Sequence, residues 1–233
     1  MVSAPAPVAV ARDDRWATAA YVAPFAAYVG CLGLQQLAPG ASAWLLVFRT
    51  VLVTAILATI SRRVIPLRPV MPASSIAFGV VLFAVWVGPD WLWPGFRGHW
   101  LFSNGITGRV ASSVPAAVQA DYSYVAWRVA SSVLLVPILE ELFWRGWVMR
   151  WLVKPSFREV PLGTYTAASF WIAAAMFAVE HGPYWDVGLL AGIGYNWWLV
   201  RTRNLADCIL AHAVTNGCLA AYVLLRGEWQ FWL

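Results

Sequence analysis

The sequence predicts an all-α, polytopic transmembrane bundle of about seven helices (six to eight), and three observations carry that expectation. Hydrophobic residues make up 61% of the 233-residue chain and charged ones only 12%, against roughly 25% charged in soluble domains. Mean hydropathy is +0.66. The apolar residues also fall in runs long enough to cross a bilayer, each about 20 residues. A water-soluble chain of this length has too little interior to hide that much apolar surface, so lipid is the expected solvent.

Taken in order, the chain opens with an Ala/Pro/Val-rich stretch that turns charged at Arg12, Asp13, Asp14 and Arg15. A cleaved signal peptide has its basic region before a short apolar core. Here the long apolar run follows the charges, so it reads as a retained helix. The expected spans lie at about 16–38, 42–60, 73–93, 122–149, 164–181, 185–200 and 205–225. The 94–121 connector is long and Gly/Ser-rich, with Phe96, Trp100, Leu101 and Phe102 close together, which suits an interfacial or re-entrant segment. No repeat, low-complexity tract or linker divides the chain, so residues 1–233 read as one transmembrane domain.

Charge assigns the sides. Arg12, Arg15, Arg62, Arg63, Arg68, Arg150, Lys154, Arg158, Arg201 and Arg203 fall in one alternating set of connectors. The other set holds only Arg97, Arg109 and Arg226. The positive-inside rule then puts the N-terminus in the cytoplasm and the C-terminus outside. It also explains the net charge of +5 without nucleic acid as a partner. Trp91, Trp93, Trp100, Trp185, Trp229 and Trp232 sit near the expected outer ends, as an interfacial aromatic belt would. Cys31, Cys208 and Cys218 form no CxxC pair and read as small buried side chains.

Charges inside a span cost a few kcal/mol each, so each is a functional hypothesis. Arg49 and Arg128 stand singly and read as structural or snorkelling side chains. Glu140, Glu141 and Arg145 share one apolar stretch. Neighbouring helical residues point about 100° apart, so the two carboxylates face different ways. Glu141 and Arg145, at i and i+4, are spaced for an ion pair. Glu140 is left to find a partner on another helix. An unpaired buried carboxylate is suited to proton transfer as a general base. Interhelical salt bridges that merely hold the bundle would use the same residues.

Of the three histidines, His99 lies in the outer connector and reads as ordinary. His181 ends the fifth run, and His212 shares a helix face with Asn216 at i+4. A carboxylate, two imidazoles and a carboxamide meeting in one cavity could activate water and stabilise an oxyanion.

Glu140-Glu141-x-x-x-Arg145, Phe177-x-x-x-His181 and His212-x-x-x-Asn216 resemble the three signature motifs of the CAAX-processing and bacteriocin-immunity (CPBP or Abi) proteases, in that order, over roughly 125–225, with the motif-bearing core at about 122–225. The first hundred residues, with Tyr21-Val22-Ala23-Pro24-Phe25, are similar to the branch found beside exosortase (PEP-CTERM) protein-sorting systems. The resemblance implies an intramembrane endopeptidase, in a bacterial inner membrane, acting on a lipidated or otherwise membrane-anchored protein or peptide. It implies that Glu140 and His181 activate water, that His212 and Asn216 hold the oxyanion, and that Glu141 with Arg145 orders the site.

The family is described both as metal-dependent and as glutamate-type without metal. One carboxylate and two imidazoles could hold zinc with an open position. HExxH is absent and Asn is a poor zinc ligand, so the metal-free mechanism is favoured and no cofactor is expected. One feature fits badly: the expected boundaries put Glu140 and His181 at different depths.

Two other readings use the same residues. One is a non-catalytic immunity or binding protein on this scaffold, which a degraded motif would have favoured. The other is a transporter or channel, which more often shows inverted repeats. Neither GxSxG nor GxGD occurs; Gly192-Ile193-Gly194 is followed by Tyr195 and reads as helix-packing glycine.

Overall fold

The computed structural model describes residues 8–37, 42–112, 114 and 116–232. The side chains of Arg12, Asp13 and Asp14, part of the N-terminal charge pattern, lie outside the described set. Among the described residues the chain forms seven helices: α1 Val8–Leu37, α2 42–61, α3 Pro72–Leu92, α4 122–151, α5 Ala167–Val179, α6 Trp185–Thr202 and α7 Leu205–Arg226. The only β pairing there is an isolated bridge between Asn104 and Gly108. Four segments are long and apolar enough to cross a membrane: Arg15–Gln35, Ala43–Ser61, Pro72–Leu92 and Leu205–Arg226. The molecule is an all-α integral membrane bundle.

Two boundaries differ from expectation. α1 starts at Val8, not near 16, because the intervening Ala, Val, Arg and Asp residues do not break a helix. α5 starts at Ala167, where the Thr166 side chain caps the Ser169 amide at 3.1 Å, and it ends at Val179. At 1.5 Å per residue its thirteen residues extend about 20 Å, well short of a bilayer core of about 30 Å.

Small residues let the helices close on one another. A Cβ on Gly79 of α3 would lie 2.4 Å from the Ala211 carbonyl oxygen of α7. Gly192 of α6 fits against Ala174 and Phe177 of α5, and Gly194 against Phe78 and Leu82 of α3, so both pack helices as expected. Gly146 of α4 receives the Tyr21 ring of α1, and Phe25 stacks on Phe143 at 4.0 Å. The Tyr21–Phe25 segment is thus the face by which α1 meets the motif-bearing helix. Outward-facing Val51, Ile76, Val80, Trp171 and Leu225 are apolar, while the interior holds charge, the reverse of a soluble protein.

The basic loops gather at one end. The Asn204 side chain donates to the Arg68 carbonyl at 3.1 Å, and Gly163 fits beneath Arg203. At the opposite end the 94–121 connector lies over the turn that follows α5. Arg97 pairs there with Asp90 at 2.7 Å and Asp186 at 2.8 Å and donates to the Pro183 carbonyl at 2.8 Å. Its charge is therefore buried and neutralised, which sharpens the contrast between the two ends. Within the expected belt, Trp91, Trp93 and Trp100 are exposed. Trp232 is a correction: it is buried, because it packs inward beside a cavity instead of facing the interface.

Asp207, fully buried in α7, secures the start of α3. It accepts from the Val70 amide at 2.8 Å, the Met71 amide at 2.9 Å and the Ser75 hydroxyl at 2.8 Å. Met71 itself caps nothing with its side chain, so a neighbouring helix supplies the anion that helix N-termini favour. Asp207→Ala strands three donors and is expected to cost about 3 kcal/mol. A lowered unfolding midpoint of the purified protein in detergent, with a smaller drop for Asp207→Asn, checks this.

Candidate active site

The site is built on two irregular stretches of α4. Residues Ser131–Leu135 and Leu142–Val148 are π-helical, a departure common at functional sites. The first has a local cause. The Val136 amide reaches back to the Ser131 carbonyl, and Pro137, which would follow in that register, has no N–H to give. The helix thus supplies no partner for the Ser132 carbonyl from either residue. Asn216 of α7 supplies it, donating from Nδ2 at 2.8 Å. That bond uses one amide N–H of Asn216 and leaves the other.

Glu141 lies at the centre. Its Oε1 accepts from Arg145 Nη1 at 3.2 Å and from His212 Nδ1 at 2.8 Å. Arg145 Nε donates to Asn196 Oδ1 at 3.0 Å, and Nη2 to the Gly192 carbonyl at 3.3 Å. Asn196 in turn donates to the Phe170 carbonyl at 2.8 Å. The expected ion pair is present, and it is one link of a chain that joins α7, α4, α6 and α5. Glu141, Arg145 and Asn196 are completely shielded. The Arg145 guanidinium also lies over Phe177, 4.5 Å from the ring centroid.

A carboxylate only accepts, so the bond to Glu141 puts a proton on His212 Nδ1 and directs Nε2 towards Glu140, 3.9 Å from its Oε2. Tyr195 stacks on the His212 ring at 4.8 Å, and its hydroxyl donates to Thr215 at 2.9 Å. His181 is fixed in the same manner: Nδ1 faces the Phe177 carbonyl at 2.7 Å. In the neutral ring that leaves the lone pair on Nε2. Trp86 meets His181 edge-on at 5.1 Å, and Gly188 leaves room beside its ring. Glu140 is buried, and its Oε2 has no hydrogen-bond partner. The partner expected from another helix is therefore close by, as His212, but not bonded to that oxygen.

Glu140, His181, His212 and Asn216 line one cavity of about 150 Å³. The apparent difference in depth narrows to about 5 Å with the short α5. Measured from the basic end, Glu140 lies about 16 Å along α4 and His181 about 21 Å along α5 and its following turn, at 1.5 Å per residue. Trp86, Phe231 and Trp232 line the cavity as well, which sets it towards the end covered by the long connector.

Several contributors were not foreseen. Arg128, read from sequence as a structural or snorkelling side chain, lines the cavity, with its guanidinium 5.9 Å from the Trp232 ring. Arg49 fits the structural reading: it donates to Gln35 and lies over Tyr28. Glu180, adjacent to His181, accepts from Trp144 Nε1 at 3.0 Å. Among the described residues Glu140, Glu180 and His181 bring ligand-type atoms within 4.8 Å of one another. That is a different trio from Glu140, His181 and His212, the set with zinc-like composition in the sequence. His212 Nε2 points towards Glu140, 3.9 Å from its Oε2, but lies outside that trio. Only its place beside a motif histidine could have flagged Glu180.

Residues 122–218 match the family model described as Type II CAAX prenyl endopeptidase Rce1-like. Over that segment, which holds the motif-bearing helices, the chain is similar to the CAAX proteases. The matched segment contains Glu140, Glu141, Arg145, Glu180, His181, His212 and Asn216. An endopeptidase family of this kind implies a protein or peptide substrate and a membrane environment. No curated protein and no solved structure matches the chain.

Removing one member of a buried ion pair leaves the other charge stranded, at about 3–5 kcal/mol. Arg145→Met is expected to destabilise the protein by that amount. Adding Glu141→Gln, which removes the stranded charge, is expected to restore part of it. A double-mutant cycle on chemical unfolding in detergent checks the coupling.

Proposed function

We propose that the chain is an intramembrane endopeptidase that hydrolyses a peptide bond of a membrane-anchored protein or peptide, prenylated and CAAX-like or otherwise lipidated, by glutamate-assisted attack of water. One observation carries the reading. In a chain whose residues 122–218 match a protease family model, an unbonded Glu140 oxygen, the His181 Nε2, the His212 Nε2 and the Asn216 carboxamide belong to residues that converge on a single cavity.

In this reading Glu140 takes a proton from water, with His181 Nε2 accepting a hydrogen bond from the same molecule, and the oxygen attacks the scissile carbonyl carbon. The tetrahedral oxyanion accepts from Asn216 Nδ2 and from His212 Nε2. His212 can donate there only when both ring nitrogens carry protons, and the Glu141 carboxylate at Nδ1 supplies the opposing charge. Collapse of the intermediate breaks the C–N bond, and the leaving amine receives the proton held by Glu140. Glu141 and Arg145 touch no substrate and act by holding His212 in place. The reaction as written needs no cofactor.

The charge asymmetry of the loops supports a cytoplasmic N-terminus, and the resemblance to the exosortase-associated branch supports a bacterial inner membrane. The cavity then faces the outer side, which suits substrates delivered to that leaflet. The whole chain acts as one domain in this reading, with α1–α3 walling the motif-bearing helices.

Glu140→Gln and His181→Ala are each expected to lower turnover of a reconstituted reporter about 10²- to 10⁴-fold, and Asn216→Ala about 10²- to 10³-fold. Elution and unfolding midpoint should stay near those of the wild type. Wild-type turnover by Glu140→Gln and His181→Ala would overturn the proposal, whereas a change in ion flux in place of cleavage would favour a transporter.

A further inference from the structure

Glu180 takes no part in the reaction just described, yet it stands with Glu140 and His181 in a geometry that needs explaining. The potential ligand atoms of the three lie within 4.8 Å of one another. His181 and Glu180 each have a group behind them that aims them. His181 Nδ1 is bound to the Phe177 carbonyl, which leaves Nε2 outward. Glu180 Oε1 accepts from the buried Trp144 indole, which leaves Oε2. Glu140 is 8% exposed, and its Oε2 is buried without a hydrogen-bond partner. Metal-binding histidines and carboxylates are typically oriented by such outer contacts.

Two carboxylates this close repel each other unless a proton or a cation lies between them. With bonds of about 2.0–2.2 Å, ligand atoms around a tetrahedral zinc stand about 3.4 Å apart. Rotating the carboxylates inward by about 1 Å would close the trio to that spacing. An imidazole with two carboxylates suits zinc better than magnesium, which prefers oxygen alone. Glu180 retains an accessible face, which gives an ion a way in, and the cavity lined by Glu140 and His181 leaves a fourth position open.

We propose that Glu140, Glu180 and His181 form a divalent-cation site of zinc type. An ion there occupies the atoms that the water-activating reading assigns to the base. The consequence that zinc slows cleavage therefore rests on that reading, whereas the site itself does not.

The test uses the full chain in detergent, stripped with a chelator and titrated with Co²⁺. The expected result is one equivalent bound with the visible absorption of tetrahedral cobalt, displaced by Zn²⁺. Glu180→Gln should weaken binding at least about 10-fold while keeping the wild-type unfolding midpoint. Trp144→Phe, which changes no ligand, should weaken it about 10-fold. Absence of the cobalt spectrum, or equal affinity in the wild type and Glu180→Gln, overturns the site. Cleavage assayed in parallel separates the two claims. Activity in chelator that Zn²⁺ suppresses supports both, and suppression should be weaker in Glu180→Gln. A cobalt spectrum together with cleavage that requires added metal supports the site and counts against metal-free activation.

Discussion

A single carboxylate oxygen, Oε1 of Glu141, holds the centre of the molecule. It is shared by Arg145 and His212 and shielded completely. A charge withdrawn from water to that degree persists only if paired and hydrogen-bonded. The pairing extends outward through Asn196 to the Phe170 backbone, so one polar chain fixes the relative positions of α4, α5, α6 and α7. In a bilayer, apolar side chains gain little by leaving lipid for each other, and packing and polar bonds must supply the specificity. The same bond determines which nitrogen of His212 faces Glu140. Support and chemistry are thus coupled through one atom.

The rest of the site depends on local departures from regular helix. Pro137 and the π-helical turn before it turn the Ser132 carbonyl into an acceptor for Asn216, which holds that carboxamide at the cavity. The short α5 brings His181 near the depth of Glu140, about 5 Å apart along the helices, and the turn after it is tied down by Arg97 through Pro183 and Asp186. A full-length α5 would carry His181 farther past the carboxylate. Short and broken elements of this kind are tolerated at membrane depth where protein, not lipid, surrounds them.

Composition and run length were enough to read the bilayer and the seven helices, because both follow from bulk apolarity. The Glu141–Arg145 pair was legible from its spacing alone, and the shared face of His212 and Asn216 likewise. The start of α5 was not, because the apolar run extends ahead of the Thr166 cap and nothing in its hydropathy marks the boundary. Asp207 and Trp232 were missed for a different reason: their partners lie more than a hundred residues away or across the cavity, and no local pattern encodes such contacts. Arg128 looked structural because a lone arginine near a helix end usually snorkels. Glu180 was overlooked beside a motif histidine, since its significance comes from Glu140 on another helix.

The central claim is that water, activated at Glu140, attacks the peptide bond directly. A single turnover of excess enzyme on a membrane-anchored reporter in ¹⁸O-labelled water tests it, with mass spectrometry of the newly formed carboxylate. Direct attack puts one ¹⁸O in that first product. Unlabelled oxygen there, donated by the enzyme carboxylate through a covalent intermediate, would contradict the account.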